Sequence, residues 1–373
     1  MDFSDRIKIR WKLYHCSKNP IKLGLKSVST YVPSQILGER EIRSDVPNLI
    51  PNKNLHVGRL IPESQSSNQT DNVSDYKKLF RQGASLVPRN LLFVDIIEKR
   101  NKGNNINLIT IQPSKSIQSK EYSTWKFIAY DQAKVESLNI FSVAKSTGLI
   151  PFHYILPYKV FLPLEKAENN EFILKTPNSP YSMKHYQELQ EIYLKNKKIG
   201  AKIKNLEKRL NYGKALTDPR QFKTPKVIYG GIGSIVKGAI LTDSMIVDTS
   251  LYFYIPKNLE EAYYIMGYLN SPYITEHVKL MGSTGARGSL RNIHKHPLNF
   301  NFPIFDKNIK LHQEIVHNSR EMESYVKDFV INFKENLINP EIKPKSIQNR
   351  LFKDTKYKKK LDILNSLIEK LMR

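Results

Sequence analysis

Residues 226–281 decide the fold class, and they read KVIYGGIGSIVKGAILTDSMIVDTSLYFYIPKNLEEAYYIMGYLNSPYITEHVKLM. The first half consists of β-branched and aromatic runs separated by glycine and polar turns, a pattern that predicts strands. The second half predicts a helix, a break at Ser271-Pro272 and a second helix. Strands followed by helices in one stretch favour an α+β fold built on a mixed sheet.

The strand pattern continues upstream of this stretch. LLFVDII from Leu91 and INLITIQ from Ile106 predict a pair of strands joined by the polar loop EKRNKGNN. The apolar runs before residue 75 are short and interrupted by Pro, Asn and Gly, which also predicts strands and turns. We therefore expect β-structure on both sides of a central helical segment.

That helical segment begins near Pro180, with Ser182 as the predicted N-cap. Its apolar residues and one asparagine alternate spacings of three and four residues, as in the seam of a coiled coil. The seam residues are Leu189, Ile192, Asn196, Ile199, Ile203, Leu206 and Leu210. Gly200 weakens a helix by roughly 1 kcal/mol, so two shorter helices are the alternative.

A second helical region begins at Asp306, and a last amphipathic helix ends near Leu371. Both carry their apolar residues on one side. We predict that the helices from Ser182 and from Asp306 pack antiparallel as a coiled-coil spacer, which would also offer a surface to a partner protein.

The charge balance is strongly basic. The 373 residues include 59 Lys and Arg against 35 Asp and Glu, a formal net charge of +24, and only 15 of the basic residues are arginine. Such a surplus favours a polyanionic partner, with nucleic acid ahead of a membrane surface. Lysine attracts phosphate, but it lacks the planar group with which arginine can recognise bases. An AT-rich genome also enriches a sequence in lysine, which is an alternative explanation for the lysine surplus.

The single cysteine, Cys16, excludes an intramolecular disulfide framework and a zinc site built from several cysteines. The opening residues MDFSDRIKIRW lack the apolar core of a secretory signal. No apolar run is long enough to span a bilayer. We therefore expect a soluble, reduced, cytoplasmic protein that does not bind membranes.

Two motifs resemble catalytic loops only in part. GGIGS from Gly230 has the glycines of a phosphate loop, but the residues after it predict a strand, so a hairpin turn is the favoured interpretation. The tetrapeptide Asn-Ser-Pro-Tyr occurs at Asn178 and at Asn270. It differs at its second position from the Asn-Pro-Pro-Tyr loop of amino-methylating DNA enzymes, so both copies are interpreted as turns.

The nine histidines do not form a pattern of metal ligands. His294 and His296 lie two residues apart on an extended or loop segment without a matching carboxylate, which favours surface or phosphate-contacting histidines. No motif for a nucleophile, a carboxylate pair or a nucleotide loop is present. The sequence therefore predicts no catalytic residue and no metal site in this chain.

The segment MGSTGARGSLRNIHKHP, from Met281 to Pro297, is the strongest candidate for a ligand-binding loop. Its glycines allow the backbone to approach a phosphate closely, and its hydroxyl groups, arginines and histidines can bond phosphates or base edges. Two of the 15 arginines, Arg287 and Arg291, fall in this segment. An ordinary surface loop is the alternative.

Six strings in one order carry a resemblance to a known family. They are FRQGASLVPRNLLFVDI from Phe80, KVESLNIFSVAKSTGLIPFHYILPYKVFLPL from Lys134, LNYGKALTDPRQFKTPKVIYGGIGSIVKGAIL from Leu210, DTSLYFYIP, EEAYYIMGYLNSP and STGARGSLRNIHKHPLNFNFPIFDKNIKLHQEI. Together they resemble the C-terminal target-recognition region of adenine-specific DNA methyltransferases, the type IIG-like restriction–modification enzymes and their phage-defence relatives. The resemblance spans about Lys77 to Ile315.

The resemblance implies that a mixed-sheet domain with spacer helices recognises a double-stranded DNA target. The catalytic half of such enzymes, with its loops for S-adenosylmethionine and the target adenine, has no counterpart in residues 1–79. We therefore expect no cofactor in this chain, S-adenosylmethionine on a partner methyltransferase subunit, and a nuclease subunit as a further partner. The chain would act like the specificity subunit of a type I restriction system, or be a remnant.

The chain accordingly divides into four predicted parts. They are the N-terminal part of the recognition domain at 1–180, a spacer at 181–213, a second β-rich part with the DNA-contacting loop at 214–305, and C-terminal helices at 306–373. The predicted DNA-binding residues are Lys77, Lys78, Arg81, Arg89, Lys237, Ser283, Thr284, Arg287, Arg291, His294 and Lys295. Two other functions are left open: a degenerate methyltransferase with an active site at Asn178 or Asn270, and a nonspecific basic nucleic-acid-binding protein.

Overall fold

The computed structural model describes residues 31–39, 56–62, 73–101, 107–118, 123–167, 171–281, 292–335 and 343–373. The chain divides into two units, Met1–Val73 and Ser74–Arg373. In the first unit, β1 (Tyr31–Glu39) and β2 (His56–Pro62) form an antiparallel pair. This pair confirms the predicted strands near Tyr31 and from Leu55, whereas the apolar run Ile7–Leu13, also predicted as a strand, lies outside the described residues. All elements named below belong to the second unit.

Short strands make up two main sheets and two smaller pairs. In chain order the strands are β3 (Arg81–Gln82), β4 (Phe93–Asn101), β5 (Asn107–Pro113), β6 (Ala133–Glu136), β7 (Ile140–Ala144), β8 (Leu149–Ile150), β9 (His153–Tyr154), β10 (Tyr158–Phe161), β11 (Leu164–Lys166), β12 (Phe172–Leu174), β13 (Lys226–Gly230), β14 (Gly238–Leu241), β15 (Ile246–Val247) and β16 (Leu251–Tyr254). One sheet has the order β15-β7-β10-β4-β5-β6 and the other the order β14-β13-β16-β3.

The six-stranded sheet is mixed, because β15 lies parallel to β7, whereas every other pair of neighbouring strands in this sheet is antiparallel. The α+β, mixed-sheet prediction is therefore confirmed, as is the predicted pairing of β4 with β5. Strands from residues 1–180 and from residues 214–305 share both sheets, since β15 joins β7 and β3 joins β16.

The helices lie between and after the strands. In chain order they are α1 (Tyr76–Leu79), α2 (Arg89–Leu92), α3 (Lys115–Gln118), α4 (Pro180–Asn196), α5 (Leu206–Leu210), α6 (Leu259–Asn270), α7 (Pro272–Met281), α8 (Lys310–Glu335), α9 (Pro344–Leu351) and α10 (Thr355–Met372). The break between α6 and α7 falls at Ser271, as predicted. In the described part of the chain, no helix is both long and apolar enough to cross a membrane.

Strand β13 explains why residues 226–281 decide the fold. All its residues are buried, and its side chains alternate between two cores. Val227 and Tyr229 pack among the C-terminal helices, whereas Ile228 packs with Phe253 of β16 on the opposite face. A strand covered on both faces requires an almost continuous apolar run. The helical core also includes residues of α6 to α10, and a separate core joins the six-stranded sheet to α4 and α5.

The antiparallel coiled coil predicted from the heptad spacing is wrong. Helix α4 ends at Asn196, Lys197 is extended, and Gly200 has a left-handed φ of 78°. Ile199, a predicted seam residue, is fully exposed. The buried face of α4, which includes Leu189, packs on the six-stranded sheet, whereas α8 packs on α6 and α10. The chain forms two shorter helices, α4 and α5, which was the alternative.

The predicted N-cap of α4 is also wrong. The helix begins at Pro180, and Ser179 occupies the N-cap position. Ser182 lies in the first turn, where its backbone N–H and its hydroxyl donate to the buried Glu136 carboxylate of β6 at 2.8 and 2.6 Å. Burial raises the pKa of Glu136, but the hydrogen bonds from Ser182 outweigh it and lower the pKa. A carboxylate from the sheet therefore satisfies this helix N-terminus.

Candidate nucleic-acid interface

The first part of the candidate interface is the segment from α1 to β3. The side chains of Tyr76 and Phe80 are fully buried among aromatic rings of the helical core. The Tyr76 hydroxyl donates to Glu261 at 3.0 Å, and β3 pairs with β16. Because this face of the segment is fixed in the core, the side chains of Lys78 and Arg81 are left exposed at the surface.

The second part is the segment that follows residue 291, which is attached to the glycine-rich connection between β13 and β14. The backbone N–H groups of Ile293 and His294 both donate to the carbonyl of Gly231, at 3.0 and 2.9 Å. The Tyr229 hydroxyl donates to the carbonyl of His294 at 2.8 Å. Ile293 is buried, whereas His294 is exposed and has a left-handed φ of 41°. GGIGS therefore joins two antiparallel strands, as predicted, and also holds a distant segment in place.

The two parts meet in what we call the basic cluster, formed by Lys77, Arg81, His294, Lys295 and His296. The Lys295 ammonium group donates to the Lys77 carbonyl at 2.8 Å. Partial burial lowers the pKa of Lys295, and the charges of Arg81 and Lys77 lower it further. Burial, His294 and Lys77 together lower the pKa of His296. These groups are thus close enough to repel one another when charged.

An ion pair lies beside the basic cluster. The Arg220 guanidinium donates through Nε to Asp218 Oδ1 at 2.8 Å and through a second nitrogen to Oδ2. Burial raises the pKa of Asp218, but the hydrogen bonds and charge of Arg220, with the charge of Arg81, outweigh it and lower the pKa. Because Arg220 already neutralises the charge of the Asp218 carboxylate, this carboxylate does not cancel the positive charge of the basic cluster.

The other predicted DNA-binding residues have different surroundings. Lys78 is exposed on α1, and Arg89 begins α2, which packs against β4 and β5. Lys237 lies at the far end of the β13–β14 connection, where its ammonium group donates to the Leu149 carbonyl and the Gln348 side chain at 2.6 and 3.0 Å. The remaining four, Ser283, Thr284, Arg287 and Arg291, lie outside the described residues.

The sequence alone does not single out Tyr229 and Gly231, which position His294. Their roles depend on a hydroxyl and a carbonyl that meet a segment far along the chain. Alternation along β13 indicates that Tyr229 shares a face with Val227, but no local pattern indicates the partner of its hydroxyl group.

The two Asn-Ser-Pro-Tyr sequences lie at helix boundaries, because Pro180 begins α4, Asn270 ends α6 and Pro272 begins α7. The buried Asn270 amide accepts from the Gly238 N–H at 3.1 Å, and it donates to the carbonyls of Gly238 and Met266 at 2.9 and 2.8 Å. Both polar ends of this amide are therefore engaged within the fold. Asn178 is exposed and donates to the Glu165 carboxylate. Within the described ranges, no group of three or more His, Cys, Asp and Glu residues could hold a metal ion.

Comparisons with known proteins yield structural neighbours but no sequence relative. No family model and no curated protein matches the chain. The chain is similar to the type IIL restriction-modification enzyme MmeI in complex with DNA, at 12% identity and a TM-score of 0.42, over 82% of this chain and 32% of that chain. It is also similar to the type IIG restriction endonuclease BpuSI, at 12% identity and a TM-score of 0.37, over 83% of this chain and 32% of that chain. The chain thus spans about a third of the length of either enzyme.

Proposed function

We propose that the chain recognises a specific sequence in double-stranded DNA. It would do so as the target-recognition part of an adenine-specific DNA methyltransferase or restriction–modification assembly whose catalytic half is a separate subunit. The observation that carries this proposal is the basic cluster. Its side chains come from two distant segments and converge on a framework of backbone and side-chain hydrogen bonds.

The electrostatics of the basic cluster favour a polyanion. Burial, followed by the neighbouring positive charges, lowers the pKa of Lys295 and of His296, so the charged groups of the cluster repel one another. A DNA backbone relieves this repulsion, because its phosphates supply negative charge and release their counterions on binding. Arg81 adds a planar donor group that can bond a phosphate or a guanine edge with two hydrogen bonds. The exposure of Arg81 and His294 suits a long, continuous ligand such as a duplex.

The sequence resemblance supports the more specific part of the proposal. The six ordered strings resemble the recognition region of adenine-specific DNA methyltransferases. In the proposed assembly, a partner methyltransferase subunit binds S-adenosylmethionine, flips the target base and transfers the methyl group. The engagement of Asn270 within the fold favours a catalytic step on another subunit over an active site of this chain.

A selection of bound duplexes from a randomised pool tests the proposal. A protein that reads sequence enriches one motif, whereas a nonspecific basic protein enriches none, and the second result would contradict the proposal. Incubating the isolated chain with S-adenosylmethionine and the enriched duplex tests the assignment of catalysis. Methylated adenine in that reaction would mean that the active site is in this chain.

A double variant, Lys77→Ala with Arg81→Ala, measures the contribution of the basic cluster. The buried rings of Tyr76 and Phe80 hold this segment, so we expect the variant to fold. Affinity should fall for all duplexes, and the slope of log affinity against log salt should decrease by about 0.9 for each lost phosphate contact. Lys358→Ala with Lys359→Ala, at two exposed positions of α10, is the matched control. If the control alters the slope equally, the DNA contacts another surface.

A further inference from the structure

A second basic site lies at the other end of the β13–β14 connection. It is a cavity of about 220 Å³ between this connection, the residues before β8 and helix α9. Its polar lining consists of Ser146, Thr147, Ser234, Lys237, Lys345 and Gln348. None of the described residues that line it carries a carboxylate. The cavity therefore gathers two cations and three hydroxyl groups from segments that are far apart in the sequence.

Among the described residues that line this cavity, no carboxylate neutralises the positive charge. The half-buried Lys237 ammonium group donates to a carbonyl and to a side-chain amide, both of which are neutral acceptors. Burial, followed by the charge of Lys345, lowers the pKa of Lys237 to about 8. Two like charges thus face one half-open space, and an anion placed there would relieve their repulsion.

The size of the cavity limits the ligand. Pockets for drug-sized molecules usually have volumes of about 300–1,000 Å³, so a volume of 220 Å³ is too small for most such ligands. It exceeds the roughly 30 Å³ that one water molecule occupies in the liquid, so it can hold a polyatomic ion together with some water. The ligand that fits is small, polar and negatively charged.

The lining groups match the acceptors of a phosphate. Lysine ammonium groups form charge-assisted hydrogen bonds to phosphate oxygens, and the hydroxyl groups of Ser146 and Ser234 are neutral donors. Thr147 is partly engaged, because its hydroxyl lies 2.8 Å from that of Tyr158. Lys345 is exposed at the start of α9, so its side chain can close over a ligand at the mouth of the cavity.

We infer that this cavity binds one phosphate group at a site separate from the basic cluster. This inference goes beyond sequence recognition by the basic cluster and does not depend on it, although Lys237 is also among the predicted DNA-binding residues. Two sources supply the same chemistry: a backbone phosphate of nucleic acid that passes the β13–β14 connection, and a small phosphorylated molecule.

Calorimetric titration of the full chain with inorganic phosphate, in a chloride buffer of low ionic strength, tests the inference. We expect saturable binding of one phosphate per chain. Lys345→Ala should weaken it roughly tenfold or more, because one charge-assisted contact is lost. Lys345 is exposed, so its removal should leave the fold intact, which circular dichroism checks. Lys359→Ala removes the same charge from an exposed position on α10 and should leave the affinity unchanged.

Competition identifies the source of the phosphate. A duplex without terminal phosphates that displaces inorganic phosphate indicates the nucleic-acid backbone, whereas a duplex that does not displace it indicates a small phosphorylated molecule. Absence of saturable phosphate binding, or equal weakening by Lys345→Ala and Lys359→Ala, would overturn the inference. The proposed function is tested independently, because motif enrichment does not require phosphate binding in this cavity.

Discussion

Helices α4 and α8 carry the same kind of amphipathic pattern, yet they lie in different surroundings. Helix α4 packs on the six-stranded sheet, where Leu189 and Tyr193 join its core, whereas α8 packs on other helices, α6 and α10. The spacing of apolar residues establishes that a helix has one buried face. It does not specify what that face meets, because the partner depends on which surfaces the rest of the chain leaves uncovered.

A buried histidine near the start of each helix shows the same contrast. The His185 ring of α4 lies against the rings of Tyr130 and Phe161, with centroids 4.5 and 4.8 Å away, and neither of its nitrogens has a hydrogen bond. His312 of α8 accepts the backbone N–H of Asp306 at Nδ1, at 3.0 Å, and its Nε2 lies 3.3 Å from the Tyr264 hydroxyl. His185 packs in an aromatic core, whereas His312 links the backbone before α8 to Tyr264 of α6.

The largest expected effects come from truncating the buried face of each helix. Leu189 of α4 and Ile315 of α8 are both fully buried. We expect Leu189→Ala and Ile315→Ala to lower the free energy of unfolding by about 2–5 kcal/mol each, through lost transfer energy and the cavity that remains. Because the two side chains belong to separate cores, the double variant should lose the sum of both values to within about 0.5 kcal/mol.

Chemical denaturation of the two single variants and the double variant measures this additivity. Ile199→Ala is the control, because Ile199 occupies the predicted seam but is fully exposed, and it should change stability by less than about 0.5 kcal/mol. A coupling well above that value between Leu189 and Ile315 would mean that α4 and α8 share a core after all.

The second expected effect is a dependence of stability on pH to which His185 of α4 contributes; burial also lowers the pKa of His312 of α8. Burial lowers the pKa of His185 from 6.5 to about 4. Between these values the unfolded chain binds a proton that the native chain does not, so stability should fall as the pH drops from 6.5 to about 4. The loss should be roughly 3 kcal/mol, from 1.36 kcal/mol per pKa unit. The groups that face His185 are the rings of Tyr130 and Phe161 and the Glu188 carboxylate, 3.5 Å from Nδ1.

Unfolding curves of wild-type protein and His185→Phe across this pH range isolate the contribution of His185. Phenylalanine fits an aromatic environment and does not titrate, so the variant should lose less stability on acidification. His317→Gln, at an exposed position of α8, should follow the wild-type profile. If His185→Phe retains the full wild-type loss between pH 6.5 and 4, the burial of His185 is not what destabilises the protein in acid.

Local pattern predicted much of the fold. The strand at β13, the pairing of β4 with β5, and the break between α6 and α7 all depend on residues close together in the sequence. The partner of α4 and the parallel pairing of β15 with β7 depend on contacts between distant segments, which periodicity does not specify. The spacing of apolar residues therefore indicated which faces of the helices and strands are buried, but not which elements pack together.

The candidate site could likewise be predicted from the sequence only in part. Charge and resemblance led to the prediction that Lys77, Arg81, His294 and Lys295 bind DNA, and the structure places these residues close together. The enclosure of Lys237 could not be predicted, because its acceptors, Leu149 and Gln348, lie far from it in the chain. A count of lysines cannot distinguish an ammonium group that is open to solvent from one that is bonded to a carbonyl.

The smallest expected effects on stability come from the two Asn-Ser-Pro-Tyr sequences. One lies at the start of α4, and the other lies at the end of α6, which packs on α8. Asn178 precedes the N-cap of α4 and is exposed, whereas Asn270 ends α6, the helix that packs on α8, and is buried. Asn270→Ala leaves the Gly238 N–H without its acceptor, although the Gly238 carbonyl keeps a second donor in Phe152. We expect a loss of about 1–3 kcal/mol for Asn270→Ala and less than about 0.5 kcal/mol for Asn178→Ala, both measured by denaturation.

A catalytic Asn270 would behave differently, since its removal would abolish a reaction without a matching loss of stability. An Asn270→Ala protein as stable as the wild type would therefore contradict the structural role and favour a methyltransferase site in this chain.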